Sequence, residues 1–301
     1  MKLKTQASLA AATALLLTGL TGCGLSGGAP QAPESPASTT TAGKVETIAG
    51  LLPANVASAG TLKVGTSATS PPEGFKTESG GLDGYEVQLV NAIGGVLGLE
   101  VDWQVSDFAS LIPGLNSRRF DLATGQIGIT KERSKIVDFV TLVMTSQSFA
   151  TAKDSGIKDI TIEDLCGRNV AVMQGSRQQD FGMEQSKDCE KNGKPAVNLS
   201  VFQNTNDSWL SMRSKRTDIY WAGSTNVSYL VNSSDDAQIA GQHLTPYPTG
   251  LAMDEGSEMG PAIEAALQHL IDDGSYGKIL QEWGIQDSAI TRAELNPEIT
   301  W

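Results

Sequence analysis

The chain has 301 residues, of which 34 are acidic and 22 are basic, so its formal net charge is −12. This excess of negative charge argues against nucleic-acid binding and against membrane binding through clustered basic residues, since both need positive patches. It does not exclude a small anionic ligand, because one well-placed arginine can outweigh a distant net charge. The length and a hydrophobic content of 40% suit a globular protein with two lobes of ordinary size.

The first residues have the features of an export signal. Two lysines precede a short apolar run at 9–17, and small residues follow before Cys23. This order is typical of secretory signals, and the apolar run is short for a membrane span. Leu20–Cys23 resembles a bacterial lipobox, in which the cysteine carries lipid; an ordinary signal peptide with an incidental cysteine is the alternative. We therefore expect a signal peptide at 1–22 and acyl chains on Cys23 that anchor the protein to the membrane.

The segment that follows Cys23 is poor in large apolar side chains. Residues 24–43 are mainly Gly, Ser, Pro, Thr and Ala. Such a stretch cannot bury enough surface to offset the entropy lost on ordering it. We expect a flexible linker over residues 23–57, with the folded body beginning between Leu51 and Gly60.

Strand and helix patterns alternate through the first half of the folded body. A β-type run at 61–65 is followed by apolar residues between 89 and 97 at helical spacing, where Gly94 predicts close packing on a sheet. Pro113 lies in the next helical pattern, so that helix is predicted to begin near Leu111, since proline is tolerated in a first turn. Further strands are predicted at 101–105 and 121–124.

The same alternation restarts after residue 150. Strands are predicted at 169–172, 197–202 and 218–222. Helices are predicted at 210–214 and from Gly260 and Tyr276 onward. This alternation favours an α/β fold in two similar-sized halves, with parallel sheets covered by helices on both faces.

The cysteines beyond the N-terminal region predict a disulfide. Cys166 and Cys189 are expected to pair outside the cytoplasm, which would stabilise the fold by about 3 kcal/mol; two separate buried thiols are the alternative. His243 and His269 are not at the spacing of metal ligands, and His269 is expected on the surface of a helix. No metal site and no cofactor is predicted.

Several short motifs occur in the order found in one protein family. They are Gly60–Thr66, Gly84–Val87, Leu111–Leu115, Thr130–Arg133, Val137–Phe139, Leu165–Gly167, Asp272–Tyr276 and Trp283–Gly284. Each motif alone is common, but together, over residues 51–297, they resemble the polar-amino-acid type (family 3) of bacterial extracytoplasmic solute-binding proteins. Among these proteins, the chain looks closest to the actinobacterial lipoproteins.

The resemblance implies a two-lobe α/β fold of the periplasmic-binding-protein type (type II), with two strands that cross between the lobes. One lobe would comprise residues 58–149 plus 246–301, and the other residues 150–245. A small solute would bind in the cleft between them, at the carboxyl ends of the strands, and the lobes would close around it. The protein would act as a monomer outside the cytoplasm, anchored by its lipid, and would deliver the solute to the permease subunits of an ABC importer.

Arg133 is the strongest candidate for ligand binding that the resemblance implies. In the family the arginine of this motif holds the carboxylate of the ligand, and a planar guanidinium suits that role because it makes two parallel bonds to a carboxylate. Thr130 and the amide of Gly128 would support the same carboxylate. The alternative is a surface arginine that pairs with Glu132 or Asp138.

Two aromatic side chains and one amide are further candidates. Phe108 matches a family aromatic that packs on the body of the ligand, although it would also fit the core beside Leu111. Gln126 is the amide that we expect to contact the ligand. Trp221 either forms a wall of the cleft or fills the core of the second lobe, and the core is the favoured position.

The chain departs from the family pattern at several positions in the expected cleft. The family often has an acid at Ser67 and an aromatic residue at Ser70, and it usually has the aspartate that receives the ammonium of the ligand at Gly223. Arg177 replaces a threonine, and it would point either into the cleft or to solvent. Since a buried ammonium without a partner is costly, we expect a carboxylate without a free α-ammonium, or a dicarboxylate held by Arg133 and Arg177.

Two other functions stay open as alternatives. A sensing module would bind a solute in the same way without importing it. An enzyme on this scaffold, such as a dehydratase, would need a positioned acid or base, and Glu73, the carboxylate expected near the cleft, has no evident partner. The sequence has no nucleophile elbow, phosphate-binding loop or metal-binding motif, so we predict binding without catalysis.

Overall fold

The computed structural model describes residues 43–299, with the backbone alone at residues 242–245. The predicted signal peptide, Cys23 and the linker up to residue 42 lie outside the described residues. The strands are β1 (Thr61–Thr66), β2 (Thr69–Ser70), β3 (Gly74–Lys76), β4 (Leu82–Asp83), β5 (Glu100–Val105), β6 (Leu122–Thr124), β7 (Val137–Ala152), β8 (Asn169–Met173), β9 (Asn198–Phe202), β10 (Ile219–Gly223) and β11 (Ala237–Asp254).

Helices alternate with these strands. They are α1 (Glu46–Ala49), α2 (Ala54–Ala59), α3 (Tyr85–Leu97), α4 (Leu111–Asn116), α5 (Arg177–Lys191), α6 (Thr205–Arg213), α7 (Ser224–Asn232), α8 (Gly260–Asp272) and α9 (Ser275–Glu282). Short 3₁₀ turns lie at Phe108–Ser110, Arg133–Lys135, Lys153–Ser155, Ile162–Leu165 and Gln286–Ser288. The predicted strands agree with the observed ones to within a residue, and α4 begins at Leu111 as predicted.

The main sheet joins two parallel groups of strands. Its order is β5-β1-β6-β11-β7-β10-β8-β9, and a small separate sheet contains β2, β3 and β4. β1 is parallel to β5 and β6, and β8 is parallel to β9 and β10. The long antiparallel strands β7 and β11 pair with each other and connect the two groups. The two-lobe α/β fold with two crossing strands is therefore confirmed.

The core of the first lobe lies between the sheet and helices α3, α8 and α9. Leu89 and Ile93, on the predicted apolar face of α3, are fully buried there. A Cβ atom at Gly94 would lie 2.6 Å from Cγ2 of Val101, so the glycine allows α3 to approach β5 closely, as predicted. His269 lies on α8 with its side chain partly exposed.

The core of the second lobe is closed by a disulfide. Cys166 and Cys189 are bonded, with their Cα atoms 5.7 Å apart, which confirms the predicted pair and excludes two free thiols. The bond ties the segment before β8 to the last turn of α5. Cys189 is buried in a cluster that includes Val170 and Trp221, so the disulfide fixes α5 against the sheet.

The predicted linker ends earlier than residue 57. α1 and α2 occupy its last part, and the backbone N–H of Val45 donates to the carbonyl of Val96 at 2.9 Å. Apolar residues at helical spacing pack here against the core of the first lobe: Val45, Ile48, Leu52 and Val56. The composition of residues 24–43 does not extend into this stretch, and its apolar spacing is the signal that the sequence prediction missed.

Within residues 43–299, none of the helices combines the length and the apolar composition needed to cross a membrane.

Candidate functional site

A small cavity lies between the lobes at the carboxyl ends of the strands, where ligands bind in open α/β sheets. Its volume is about 40 Å³. The first lobe contributes Ser70, Phe108, Gly125, Gln126, Gly128 and Arg133. The second lobe contributes Met173, Ser176, Arg177, Gln178, Thr205, Tyr220, Trp221, Ala222, Gly223 and Asn226, and β11 adds Tyr247.

Arg133 lies half-buried in this cavity and touches both lobes. Its Nη1 donates to the carbonyl of Gly128 at 3.0 Å, and its Nη2 donates to the carbonyl of Gly175 in the second lobe at 2.9 Å. The ion pairs among the described residues do not include Arg133, so pairing with Glu132 or Asp138 is excluded. Burial lowers the pKa of Arg133 from its usual value, and the remaining N–H groups are available to a ligand.

The residues predicted to support Arg133 act differently from the expectation. Gly128 lines the cavity, but its carbonyl, rather than its amide, contacts Arg133. Thr130 is not among the cavity-lining residues; its Oγ1 accepts from the backbone N–H of Arg133 at 3.2 Å. Thr130 therefore positions the backbone of Arg133 at the start of the 3₁₀ turn, whose N-cap residue is Glu132.

Phe108 lies both in the core and at the cavity, the two positions that the sequence left open for it. Its side chain is buried in a cluster with Leu111 and Leu115, and it also lines the cavity. Its ring centroid lies 5.9 Å from Cζ of Arg133, within the range of a cation–π contact. One part of Phe108 therefore belongs to the core, and another can pack against a solute.

Arg177 lines the cavity, and the residue is partly exposed to solvent. It begins α5, and its Cζ lies 4.4 Å from the ring centroid of Tyr247 and 4.8 Å from that of Phe181. These two aromatic rings hold the guanidinium in place by cation–π contacts. The Nη1 atom of Arg177 is buried and has no hydrogen-bond partner.

Gly223 leaves room for an amide from the opposite lobe. A Cβ atom at Gly223 would lie 2.0 Å from Oε1 of Gln126, so any side chain at position 223 would collide with that amide. Gln126 Nε2 donates to Oγ1 of Thr225 at 2.6 Å and to Oε1 of Glu73 at 2.9 Å. The carboxamide of Gln126 thus occupies the space beside Gly223 and connects the two lobes.

Glu73, which has no evident partner in the sequence, is hydrogen-bonded to two residues in the structure. Its Oε1 accepts from Gln126 and also from the hydroxyl of Thr225, whereas its Oε2 is buried without a partner. Burial is the main reason that the pKa of Glu73 is raised to about 8, from an ordinary value of 4.5. Glu73 is fully buried and does not line the cavity. Its partners come from distant parts of the chain, so no local pattern indicated them.

The two serines that depart from the family pattern lie in different places. Ser70 lines the cavity, and its Oγ lies 3.0 Å from Oγ1 of Thr205 in the second lobe. Ser67 is buried, but it faces a neighbouring groove beside Phe75 and is not a cavity-lining residue. Of these two candidates, the structure therefore brings only Ser70 into the cavity.

Trp221 and its neighbours form the wall of the second lobe. Trp221 is 1% exposed and packs on Phe149 with ring centroids 5.1 Å apart, which confirms the core position, yet it also lines the cavity. Tyr220 donates through its hydroxyl to Oδ1 of Asn226 at 2.6 Å, and Nδ2 of Asn226 donates to the carbonyl of Pro71 in the first lobe at 2.7 Å. Tyr220, Asn226 and Tyr247 were not among the predicted site residues. Tyr220 and Asn226 meet within the second lobe, and Asn226 reaches the first lobe through Pro71.

The electrostatic character of the cavity is positive. Its described wall contains two arginines and no aspartate, glutamate, lysine or histidine. Among residues 43–299, no group of three or more His, Cys, Asp or Glu side chains is arranged to hold a metal ion. The arrangement can therefore hold an anion by charge-assisted hydrogen bonds.

The comparisons with known proteins agree on one family. The chain matches the family model of the bacterial extracellular solute-binding proteins, family 3, over residues 62–286. The arginine-binding protein ArgT of Corynebacterium glutamicum is 29% identical over 256 residues, or 84% of each chain. The L-cystine-binding protein TcyJ of Escherichia coli is 25% identical over 227 residues, or 74% of this chain and 82% of that one. The structure of an ancestral arginine-binding protein bound to arginine has a TM-score of 0.68 and 34% identity, covering 74% of this chain and 98% of that one.

The matched span runs from β1 to the 3₁₀ turn after α9, so it includes both lobes and both crossing strands. These relatives are named as binding proteins, not as enzymes. The chain belongs to the bacterial extracellular solute-binding proteins of family 3.

Proposed function

We propose that the protein is the extracytoplasmic solute-binding component of an ABC importer, and that its solute is small and carries a carboxylate, as an amino acid or its derivative does. The position of Arg133 is the observation that supports this most strongly. Its half-buried guanidinium lines the cavity between the lobes and forms no ion pair with a carboxylate of the described chain. A solute carboxylate would supply the missing negative charge through parallel hydrogen bonds.

Binding would be linked to closure of the lobes. We assign residues 58–149 plus 246–301 to one lobe and 150–245 to the other. Direct hydrogen bonds join them on either side of the cavity, from Arg133 to Gly175 and from Asn226 to Pro71. A solute that contacts both lobes binds the closed form better than the open form, and this difference shifts the equilibrium toward closure. The permease would recognise the closed form, and the protein would work as a monomer.

A lipid on Cys23 would hold the protein at the outer face of the cell membrane. Replacing Cys23 by alanine should release the protein or leave it unprocessed, because acyl chains anchor it through the burial of their methylene groups. The check is the mass and the membrane fraction of the expressed full chain. Unchanged mass and membrane retention would contradict the lipid anchor.

The position of Glu73 favours binding over catalysis. A carboxyl with a raised pKa is what an acid–base enzyme would need, and the pKa of Glu73 is about 8. However, Glu73 does not line the cavity, and its Oε1 is engaged by Gln126 and Thr225. A solute in the cavity would meet the amide of Gln126 before it could reach Glu73.

Calorimetric titration and cellular uptake test the proposal together. The purified full chain should bind carboxylates saturably, and Arg133→Gln should weaken that binding. Cells that lack the gene should take up the same solute slowly, and the wild-type chain, but not Arg133→Gln, should restore uptake. Failure of every carboxylate to bind would overturn the proposal. Binding without any effect of the deletion on uptake would indicate a sensor, not an importer component.

A further inference from the structure

Two guanidinium groups from opposite lobes line the same cavity. Arg133 comes from the first lobe and Arg177 from the second. Two cations in one small cavity repel each other unless negative charge lies between them. Asp180, the acid on the first turn of α5, is exposed and is not part of the cavity wall. The charge of Asp180 acts on Arg133 and partly opposes the effect of burial on the pKa of that arginine. The ion pairs of residues 43–299 include neither Arg133 nor Arg177, so neither guanidinium is bonded to a carboxylate.

The unpartnered polar atoms in the cavity wall are hydrogen-bond donors. They belong to Arg177, whose Nη1 is buried without a partner, and to Trp221, whose Nε1 is in the same situation. A guanidinium and an indole N–H can donate but not accept. Buried donors are costly when they are left unpaired, so the solute that completes this wall has to bring acceptors.

Helix dipoles add to the same preference. α5 and α7 both begin at the cavity, because their N-cap residues, Ser176 and Gly223, line it. The N-terminus of a helix carries partial positive charge and favours anions. The helices, the arginines and the unpartnered donors thus all favour negative charge in the solute.

The cavity offers little to a positively charged group. An ammonium would need a carboxylate or several acceptors when it is removed from water. The buried carboxyl of Glu73 does not line the cavity, and its Oε1 already accepts from Gln126 and Thr225. The amide of Gln126 directs its Nε2 donor to those partners.

We infer that the solute is a small dicarboxylate without a free ammonium group, with one carboxylate at Arg133 and the other at Arg177. This inference rests on the proposed function, because it concerns the same cavity. The two carboxylates would bridge the two lobes, so the second charge contributes to closure as well as to affinity.

Calorimetric titration of the purified full chain with matched acids tests the inference. Succinate, butyrate and L-aspartate form one set, and glutarate, valerate and L-glutamate form another. Within each set the second acid lacks one carboxylate, and the third adds an ammonium. In the set that fits the cavity, we expect the diacid to bind roughly 10- to 100-fold more tightly than both of its companions, since hydrogen bonds to charged groups are the strong ones.

Variants separate the role of Arg177 from the general charge of the protein. Arg177→Gln should reduce the ratio of diacid to monoacid affinity to nearly one. Arg216→Gln makes the same change at an exposed position of the second lobe and should preserve the ratio. Circular dichroism of both variants checks that they are folded.

The possible results distinguish this inference from the function on which it rests. Tighter binding of L-aspartate, L-glutamate or L-arginine than of the diacids overturns the inference and leaves carboxylate import in place. Equal affinity for diacid and monoacid, or an unchanged ratio in Arg177→Gln, also overturns it. If no acid in either set binds, and L-arginine does not bind, both the inference and the proposed function are wrong.

Discussion

Arg133 links the chemistry of the cavity to the contact between the lobes. Its Nη1 donates to Gly128 in the first lobe, and its Nη2 donates to Gly175 in the second. The same guanidinium faces the ring of Phe108. Because one side chain contacts the cavity and both lobes, we expect solute affinity and lobe closure to change together when it is replaced.

Replacing Arg133 by glutamine should weaken the binding of a carboxylate solute by roughly 30- to 150-fold, since the lost charge-assisted bonds contribute about 2–3 kcal/mol. Calorimetric titration of the full chain measures this change. Arg133→Lys should recover only part of the affinity, because an ammonium cannot make two parallel bonds to a carboxylate. The exposed Arg216→Gln should bind like the wild type, and an equally unaffected Arg133→Gln would contradict the assigned role.

Glu73 is a second residue, and we expect its protonation to depend on closure of the lobes. In the closed form its pKa is raised to about 8, mainly by burial and also by the nearby carboxyl of Glu86. Tyr220 and Tyr247 lie on the other sides, and burial raises their pKa values, so both stay uncharged at neutral pH. In an open form water would reach Glu73, and because burial is the largest cause of the raised pKa, we expect that pKa to move back toward 4.5. The lost hydrogen bond from Thr225, which lowers the pKa, opposes part of this change.

Solute affinity should therefore decrease as the pH rises. A carboxyl whose pKa is higher in the closed form stabilises that form when it is protonated. This contribution is complete below pH 4.5, the ordinary pKa, and it is lost as the pH rises through about 8. The loss is at most about tenfold in affinity per pH unit. Titrations of wild type and Glu73→Gln across this range should show a steeper decline for the wild type.

The Glu73→Gln variant is a matched control because it keeps the shape of the side chain and leaves Glu86 in place. Protonation of the solute affects both proteins equally, so the difference between their slopes reports Glu73 alone. Identical slopes for the two proteins would show that Glu73 does not take up a proton on closure.

At the scale of elements, the junction of β10 and α7 leaves no room for a side chain at Gly223. Gly223→Ala would place a methyl group 2.0 Å from Oε1 of Gln126 and should displace that amide from Thr225. We expect roughly tenfold weaker solute binding, since one hydrogen bond between the lobes is lost. Gly277→Ala is the control, because a Cβ atom there meets nothing within 4 Å, and it should not change the affinity. A Gly223→Ala variant that binds like the wild type would contradict this arrangement.

The disulfide between Cys166 and Cys189 fixes α5, the helix that carries Arg177. Replacing both cysteines by alanine should lower the free energy of unfolding by about 3 kcal/mol, because a closed loop of this size limits the unfolded chain. Scanning calorimetry of the double variant measures the loss. The wild type in a reducing agent should show a similar decrease in melting temperature, and an unchanged melting temperature in both experiments would contradict a stabilising role.

The six strands predicted from pattern match observed strands because their signals are local, whereas α5, α7, β7 and β11 were not predicted from pattern. The apolar spacing of α3 and the position of Pro113 in α4 were the signals that located those two helices in the sequence. α1 and α2 were missed because a boundary drawn from composition hid the helical spacing of Val45 and Ile48. β2 to β4 were missed because strands of two or three residues carry too little pattern.

The candidate site could be predicted only in part. Family motifs indicated Arg133 and Phe108, and the structure places both in the cavity. Contacts between residues far apart in the sequence, such as Glu73 with Thr225, depend on how the two lobes meet. No pattern within one segment carries that information, which is also why Tyr247 was overlooked.

Residues 43–299 form two lobes that are in contact with each other and are joined by two long strands. The contacts between the lobes come from several elements on each side, and the cavity lies among them. In this arrangement the protein provides donors and positive charge, and the solute that we propose would provide acceptors and negative charge. A solute of this kind would favour the closed state because it satisfies groups from both lobes at once.

The most direct test of this account is mass spectrometry of the small molecules that the protein carries out of the cell. The full chain and its Arg133→Gln variant are purified under identical conditions and denatured, and the released molecules are identified and quantified. We expect the wild type to release a carboxylate in stoichiometric amount and the variant to release little of it. A released molecule without a carboxylate, or equal amounts from both proteins, would contradict the central claim that Arg133 holds an acidic solute between the lobes.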